Sequence, residues 1–119
     1  MLGAFRLRSS LKRKLSRHWV RESQLNTEAI AQRNAELLST YAAKPTIELR
    51  NRIATINHRL ALTIAHREKN RRIIDVADLE QLASIGLIKA IEKYDPTNGS
   101  AFSSFAVPFI RGEIMHFCR

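Results

Sequence analysis

DLEQLASIGLIKAIEKYDPTNG, residues 78–99, is the stretch that decides the fold. Leu79, Leu82/Ala83, Gly86/Leu87, Ala90/Ile91 and Tyr94 recur at helical spacing and form one apolar stripe. Asp75, three residues ahead of Asp78, can accept from the free backbone N–H groups of a helix start, and Asp78 adds negative charge there. Asp95-Pro96-Thr97-Asn98-Gly99 is a turn cluster that stops the helix after Tyr94. A helix packed on one core needs one apolar stripe, yet Asp78, Gln81, Ser84, Ile85 and Ile88 also recur and make a second, mixed face. Either a neighbouring helix covers that face, or it docks a partner helix through apolar contacts flanked by hydrogen-bonding groups.

Downstream, residues 100–119 continue as a further helix, with Ser103 or Ser104 as caps and Pro108 near the first turn. Phe102, Phe105 and Phe109 follow one line around it; Ile110, Ile114 and Phe117 follow another. A phenylalanine stripe is ordinarily core. Two apolar lines on one short helix imply instead a packed face and an aromatic face left over. Rings beside Arg111 and hydroxyl groups suit single-stranded nucleic acid, because each stacked base contributes roughly 1–3 kcal/mol and guanidinium holds phosphate.

Upstream, Pro45 must follow the end of a helix that begins at Asn26 or Thr27 and carries Ile30, Leu37 and Tyr41. Thr46 can cap the next one. Leu49, Ile53, Ile56, Leu60 and Ile64 form a continuous stripe, broken by the polar stretch 67–72. No convincing period-two strand occurs. The expected fold is all-α: a compact bundle of about four helices over residues 26–119, behind a basic tail over 1–25 that is either disordered or helical.

Composition bounds the function. The 119 residues, 45% hydrophobic and 26% charged, suit one modest core. No apolar run is long enough to span a membrane, and the single Cys118 excludes both a disulfide framework and a cysteine-rich zinc site. Net charge is +9, but Arg6, Arg8, Lys12, Arg13, Lys14, Arg17 and Arg21 put +7 of it in residues 1–21, leaving only +2 for the rest. The basic character therefore belongs mostly to the leader. Leu7, Leu11, Leu15 and Trp19 give the leader a rough helical stripe. It can be a solvated tail, an arm for DNA or an anionic membrane surface, or a transit peptide. His18, His58, His66 and His116 are scattered without a His-Glu-x-x-His arrangement, and Cys118 reads as a small apolar residue of the last helix. The chain is read as non-enzymatic, with no cofactor and no metal.

Taken together, residues 78–99 followed by Phe102-Ser-Ser-Phe-Ala-Val-Pro-Phe-Ile-Arg-Gly-Glu-Ile closely resemble region 2 of bacterial RNA polymerase sigma factors. The shared pattern is an acidic start, a glutamine, Ile-Gly-Leu-x-Lys-Ala, an aromatic–acidic turn ending in glycine, then Phe-Ser-x-aromatic-Ala. Residues 46–66 look like the preceding helix of that domain. Ala-Val-Pro-Phe-Ile-Arg-Gly-Glu-Ile is more like the alternative factors of stress, sporulation and flagellar type than the primary ones.

The resemblance implies two surfaces. Family members dock the helix corresponding to 75–94 on the clamp helices of the polymerase β′ subunit. Asp78, Gln81, Ser84 and Ile88 stand at the contact positions, Ile85 lies on the same face, and Leu82 stands where primary factors often carry an acid. The following segment in the family opens the promoter −10 element and holds the non-template single strand, flipping an adenine out of the stack. Phe102, Ser103, Ser104 and Phe105 match it, and Arg111 matches a basic position facing the duplex or its phosphates. Ser100 replaces an aromatic or basic residue, and Pro108-Phe109 replaces a Trp-Trp wedge, which implies weaker melting and stricter promoter dependence. The implied partners are core RNA polymerase and promoter −10 DNA, with an anti-sigma factor as the main partner in an alternative reading. The implied place is the bacterial cytoplasm, or a plastid stroma if the leader is a transit peptide. Residues 1–119 contain no segment like the family's −35-reading helix-turn-helix domain, so the chain is expected to be a piece of a longer factor.

Overall fold

The structure, a computed structural model, describes residues 9–69, 71 and 74–118, with side chains from residue 24 onward. The chain divides into two compact units, 1–30 and 31–119. Among the described residues there are five α-helices and no strand: α1 (Ser9–Ala43), α2 (Ile47–Ile56), α3 (His58–Glu68), α4 (Val76–Lys93) and α5 (Phe102–Phe117). A short 3₁₀ turn, Pro96–Asn98, sits between α4 and α5. The all-α expectation holds.

Helix α4 is the hub of the second unit, packing against α5, α3 and α2. Its buried residues are Leu79, Ala83, Gly86, Leu87, Ala90 and Ile91, the stripe expected from spacing. Ile53 of α2, Ala61, Ile64 and Ala65 of α3, Leu38 of α1, and Phe102, Ala106, Ile110 and Ile114 of α5 complete the core. Gly86 sits where α4 meets α5. A Cβ there would lie 2.7 Å from the Cα of Ile110 and 2.8 Å from the carbonyl oxygen of Phe109. Only the absence of a side chain lets α5 approach α4 this closely.

Several boundaries differ from the expectation. The first helix does not begin at Asn26 or Thr27 but runs from Ser9 through both, crossing the expected 25/26 tail boundary. Residues 9–43 contain neither Pro nor Gly, so nothing in the chain forces a break there. Ile30, expected on its packed stripe, is 45% exposed; Leu38 and Asn34 are the buried positions, with Leu37 and Tyr41 packed against the core. The leader's stripe at 7, 11, 15 and 19 lies outside the described side chains.

The expected single helix over 46–66 is two helices. Thr46 caps α2 as expected, its Oγ1 accepting from the backbone N–H of Leu49 at 3.1 Å. The break comes at Asn57, which has left the helical region and turns its side chain inward. There its Nδ2 donates to the Ile53 carbonyl at 2.8 Å and to Asn34 Oδ1 at 2.7 Å, while Asn34 Nδ2 donates to Asn57 Oδ1 at 2.9 Å. A side chain competing for backbone acceptors is what ends the helix. The hydrophobic period continues across the break and gives no hint of it.

At α4, Asp75 is the N-cap, but its side chain makes no capping bond; its carbonyl oxygen accepts from the N–H groups of Asp78 and Leu79 instead. At α5, neither Ser103 nor Ser104 is the cap. Ala101 is, so Pro108 lies inside the helix rather than in its first turn. Pro108 removes one helical donor there, on an exposed side where water can satisfy the orphaned carbonyl. Phe102 is 5% exposed and belongs to the core, whereas Phe117, expected on the packed line, is 63% exposed.

Candidate functional site

The outward side of α4 separates clearly from its buried stripe. Asp78 and Gln81 are exposed, and Ile85 is 44% exposed. Ser84 is half-buried and spends its hydroxyl on its own helix, donating to the Glu80 carbonyl at 3.0 Å. Leu82 turns the other way and packs against the core. Ile88 is half-buried and lines, with Ser84 and Leu87, a hollow of about 360 Å³ whose far wall is Ala54 and Thr55 of α2 and His58 of α3. Helix α2 therefore borders the mixed face without covering it. Glu80, also on α4, pairs with His66 of α3 at 3.0 Å.

The second surface is a run of rings that descends from surface to core. Phe109 and Phe105, both half-buried, lie with centroids 4.9 Å apart at 38°. Phe105 meets Tyr94 edge-on at 5.3 Å, and Tyr94 meets buried Phe102 at 5.3 Å and 89°. The Nζ of Lys93 lies 5.7 Å from the Phe109 centroid, where the ring quadrupole attracts a cation. The Tyr94 hydroxyl donates to the Ser100 carbonyl, closing the turn over the rings. Phe102 is thus beneath the aromatic surface rather than on it. Ser103, Ser104, Pro108 and Arg111 are exposed.

The turn between the two surfaces is held by Asp95. Its Oδ1 accepts from Thr97 Oγ1 at 2.6 Å and from the Thr97 backbone N–H at 2.9 Å, and these bonds hold the carboxyl below its ordinary range. Gly99 follows with φ 79°, a left-handed conformation that suits glycine. This reversal is what sets Phe102 and Phe105 against Tyr94.

Arg111 shares a hollow of about 340 Å³ with Arg67 and Arg71, with buried Glu68 in its wall. Ser103 lines another, about 310 Å³, with Tyr94 and with Asn34 and Leu38 of α1. Sequence alone gives no site role to α1, to Lys93 or to Tyr94, and shows residues 67–72 only as a polar break. Lys93 and Tyr94 do carry a legible signal, a basic–aromatic pair just before the turn. Arg67 and Arg71 carry none, since only packing brings α3 beside α5.

Residues 53–119 match the family model described as Sigma-70 region 2. The chain belongs to that family. The match takes in the C-terminal part of α2 and all of α3, α4 and α5, the elements that build both surfaces. Among named relatives, the chain is 43% identical over 63 residues to the RNA polymerase sigma-F factor of Bacillus subtilis (53% of this chain, 24% of the relative). It is 52% identical over 42 residues to the sigma-B factor of the same organism (35% and 16%). To a putative RNA polymerase sigma-G factor of Bacillus thuringiensis it is 40% identical over 73 residues (61% and 58%). The chain spans less than two thirds of the length of each of these relatives. Among the described residues, no helix is long and apolar enough to cross a membrane.

Proposed function

We propose that this sigma region 2 domain acts in transcription initiation. It docks on the β′ clamp helices of core RNA polymerase through the outer face of α4, and it holds the non-template strand of the −10 element on the rings of α5. The observation that carries the reading is Ile85, an isoleucine 44% exposed beside Gln81 on a helix whose opposite stripe is fully buried. An exposed apolar side chain set beside polar ones is the composition of a partner contact. The half-open hollow at Ile88 offers a place for one further apolar group of the partner. Leu82, turned into the core, contributes to this face only by supporting it.

The DNA half rests on exposure as much as on chemistry. Phe105 and Phe109 are half-open rings with Lys93 over the Phe109 ring, a stacking surface beside a cation such as a single strand requires, while Arg111 stands apart from the rings in the hollow with Arg67 and Arg71. Phe102 holds Tyr94 and Phe105 in place from below. Ser103 and Ser104 are exposed hydroxyls available to bases or phosphates, and Pro108-Phe109 forms a smaller wedge than two tryptophans. The work of such a domain is binding, not covalent chemistry, and its place is with the polymerase in the bacterial cytoplasm.

Docking is tested by capture on core polymerase and on a β′ clamp-helix fragment. Gln81→Ala with Ile85→Asp is expected to abolish capture while helicity and melting stay near wild type, because exposed positions change stability by about 0.5 kcal/mol or less. Full capture by the double variant contradicts the docking face, and leaves it to another partner such as an anti-sigma factor.

A further inference from the structure

We infer that Glu113 gates the strand-binding surface by holding Lys89 away from phosphate, and so sets how tightly and with what salt dependence the domain binds a phosphodiester backbone. The inference rests on the strand-binding reading above and adds a regulator to it. Lys89 and Lys93 lie one turn apart on α4; Phe109 and Glu113 lie one turn apart on α5. The two rows run side by side, Lys93 over the Phe109 ring and Lys89 Nζ bonded to Glu113 Oε2 at 2.8 Å. The row of rings from Phe105 to Phe109 therefore leads directly to this ion pair.

The two partners differ in freedom. The Lys89 side chain is 51% exposed and the Glu113 side chain only 20%, so the lysine is the one able to leave. An exposed pair of this kind contributes little stability, and a phosphate oxygen can replace the carboxylate at small cost. Doing so leaves Glu113 uncovered beside an anion. A phosphate neutralised by a lysine releases about 0.7–0.9 of a condensed cation, and a lysine still held by Glu113 releases none. Lys89 then adds little to the salt dependence of the wild type. Without the carboxylate it adds more.

The test measures binding of a −10 non-template oligonucleotide, and of a thymidine homopolymer of equal length, to the full chain in complex with core polymerase across a salt series. Glu113→Gln keeps the shape and removes the charge. It is expected to tighten both oligonucleotides equally, by about two- to tenfold at low salt, and to steepen the log–log salt slope by roughly 0.7–0.9. Adding Lys89→Gln should abolish both gains. A gain that survives Lys89→Gln overturns the gate, since simple repulsion would then suffice. Unchanged affinity and slope in Glu113→Gln, while Phe105→Ala still weakens binding, overturns the gate and leaves strand binding standing. No binding by any variant, wild type included, overturns both.

Discussion

Helices α4 and α5 each carry more apolar residues than one packed stripe needs, and they use the surplus in opposite ways. On α4 the two faces are distinct. Leu79, Ala83, Gly86, Leu87, Ala90 and Ile91 are buried, while Gln81 and Ile85 look outward. On α5 the aromatic side chains form a gradient, from buried Phe102 through half-buried Phe105 and Phe109 to exposed Phe117. The difference lies in how each helix enters the core. Helix α4 is packed on by three others, so the 3.6-residue period alone decides which side chains are buried. The start of α5 is pinned by the Asp95–Gly99 turn, and a large first residue is driven inward whatever line it shares with its neighbours. Period assigns faces well in the middle of a packed helix and poorly in its first turn.

Phe102→Ala should show the largest effect. A buried phenylalanine reduced to alanine costs about 3–5 kcal/mol, so denaturant unfolding should shift by that much if Phe102 is core. A loss confined to DNA binding, with stability intact, would return Phe102 to the surface line and erase the contrast with α4.

Gly86→Ala comes next. The new methyl would meet backbone atoms of α5 at 2.7 and 2.8 Å, which cannot rotate away, and overpacking of this kind costs about 1–3 kcal/mol. Gly112 provides the control, since a Cβ added there would meet nothing within 4 Å. Gly112→Ala should be neutral or slightly stabilising in the same unfolding titration. Equal costs at the two glycines would contradict the close approach of α4 and α5.

The smallest effect sharpens the turn that separates the helices. Asp95 has its carboxyl pKa lowered in the folded chain by the two Thr97 bonds, so its contribution is present above the unfolded value and is lost as pH falls through the folded one. Melting temperature should therefore decline on acidification below the ordinary aspartate range, and Asp95→Asn should remove that part of the decline. An identical acid profile in the variant would mean that Asp95 does not hold the turn.

Much of this is legible in residues 78–99. The buried stripe of α4, its stop at Asp95–Gly99, the mixed outer face and the all-α class follow from spacing and turn chemistry. What escapes is set by side chains acting against the period. Asn57 ends α2 with an inward amide that pairs with Asn34, 23 residues away in sequence. Ala101 rather than a serine caps α5, because the turn before it dictates where the helix begins. The outer face of α4 is readable because exposure there follows period. The basic groove of Arg67, Arg71 and Arg111 is not, because it exists only where α3 meets α5.

Binding of a −10 non-template oligonucleotide to the polymerase complex, with wild type and Phe105→Ala compared in parallel with unfolding of the free domain, tests the central claim most directly. Phe105 is half-open with ring partners on two sides, so its truncation should cost less stability than Phe102→Ala. It should weaken the oligonucleotide by about 1–3 kcal/mol, the contribution of one stacked base. Equal affinity of wild type and Phe105→Ala for the strand would contradict the account.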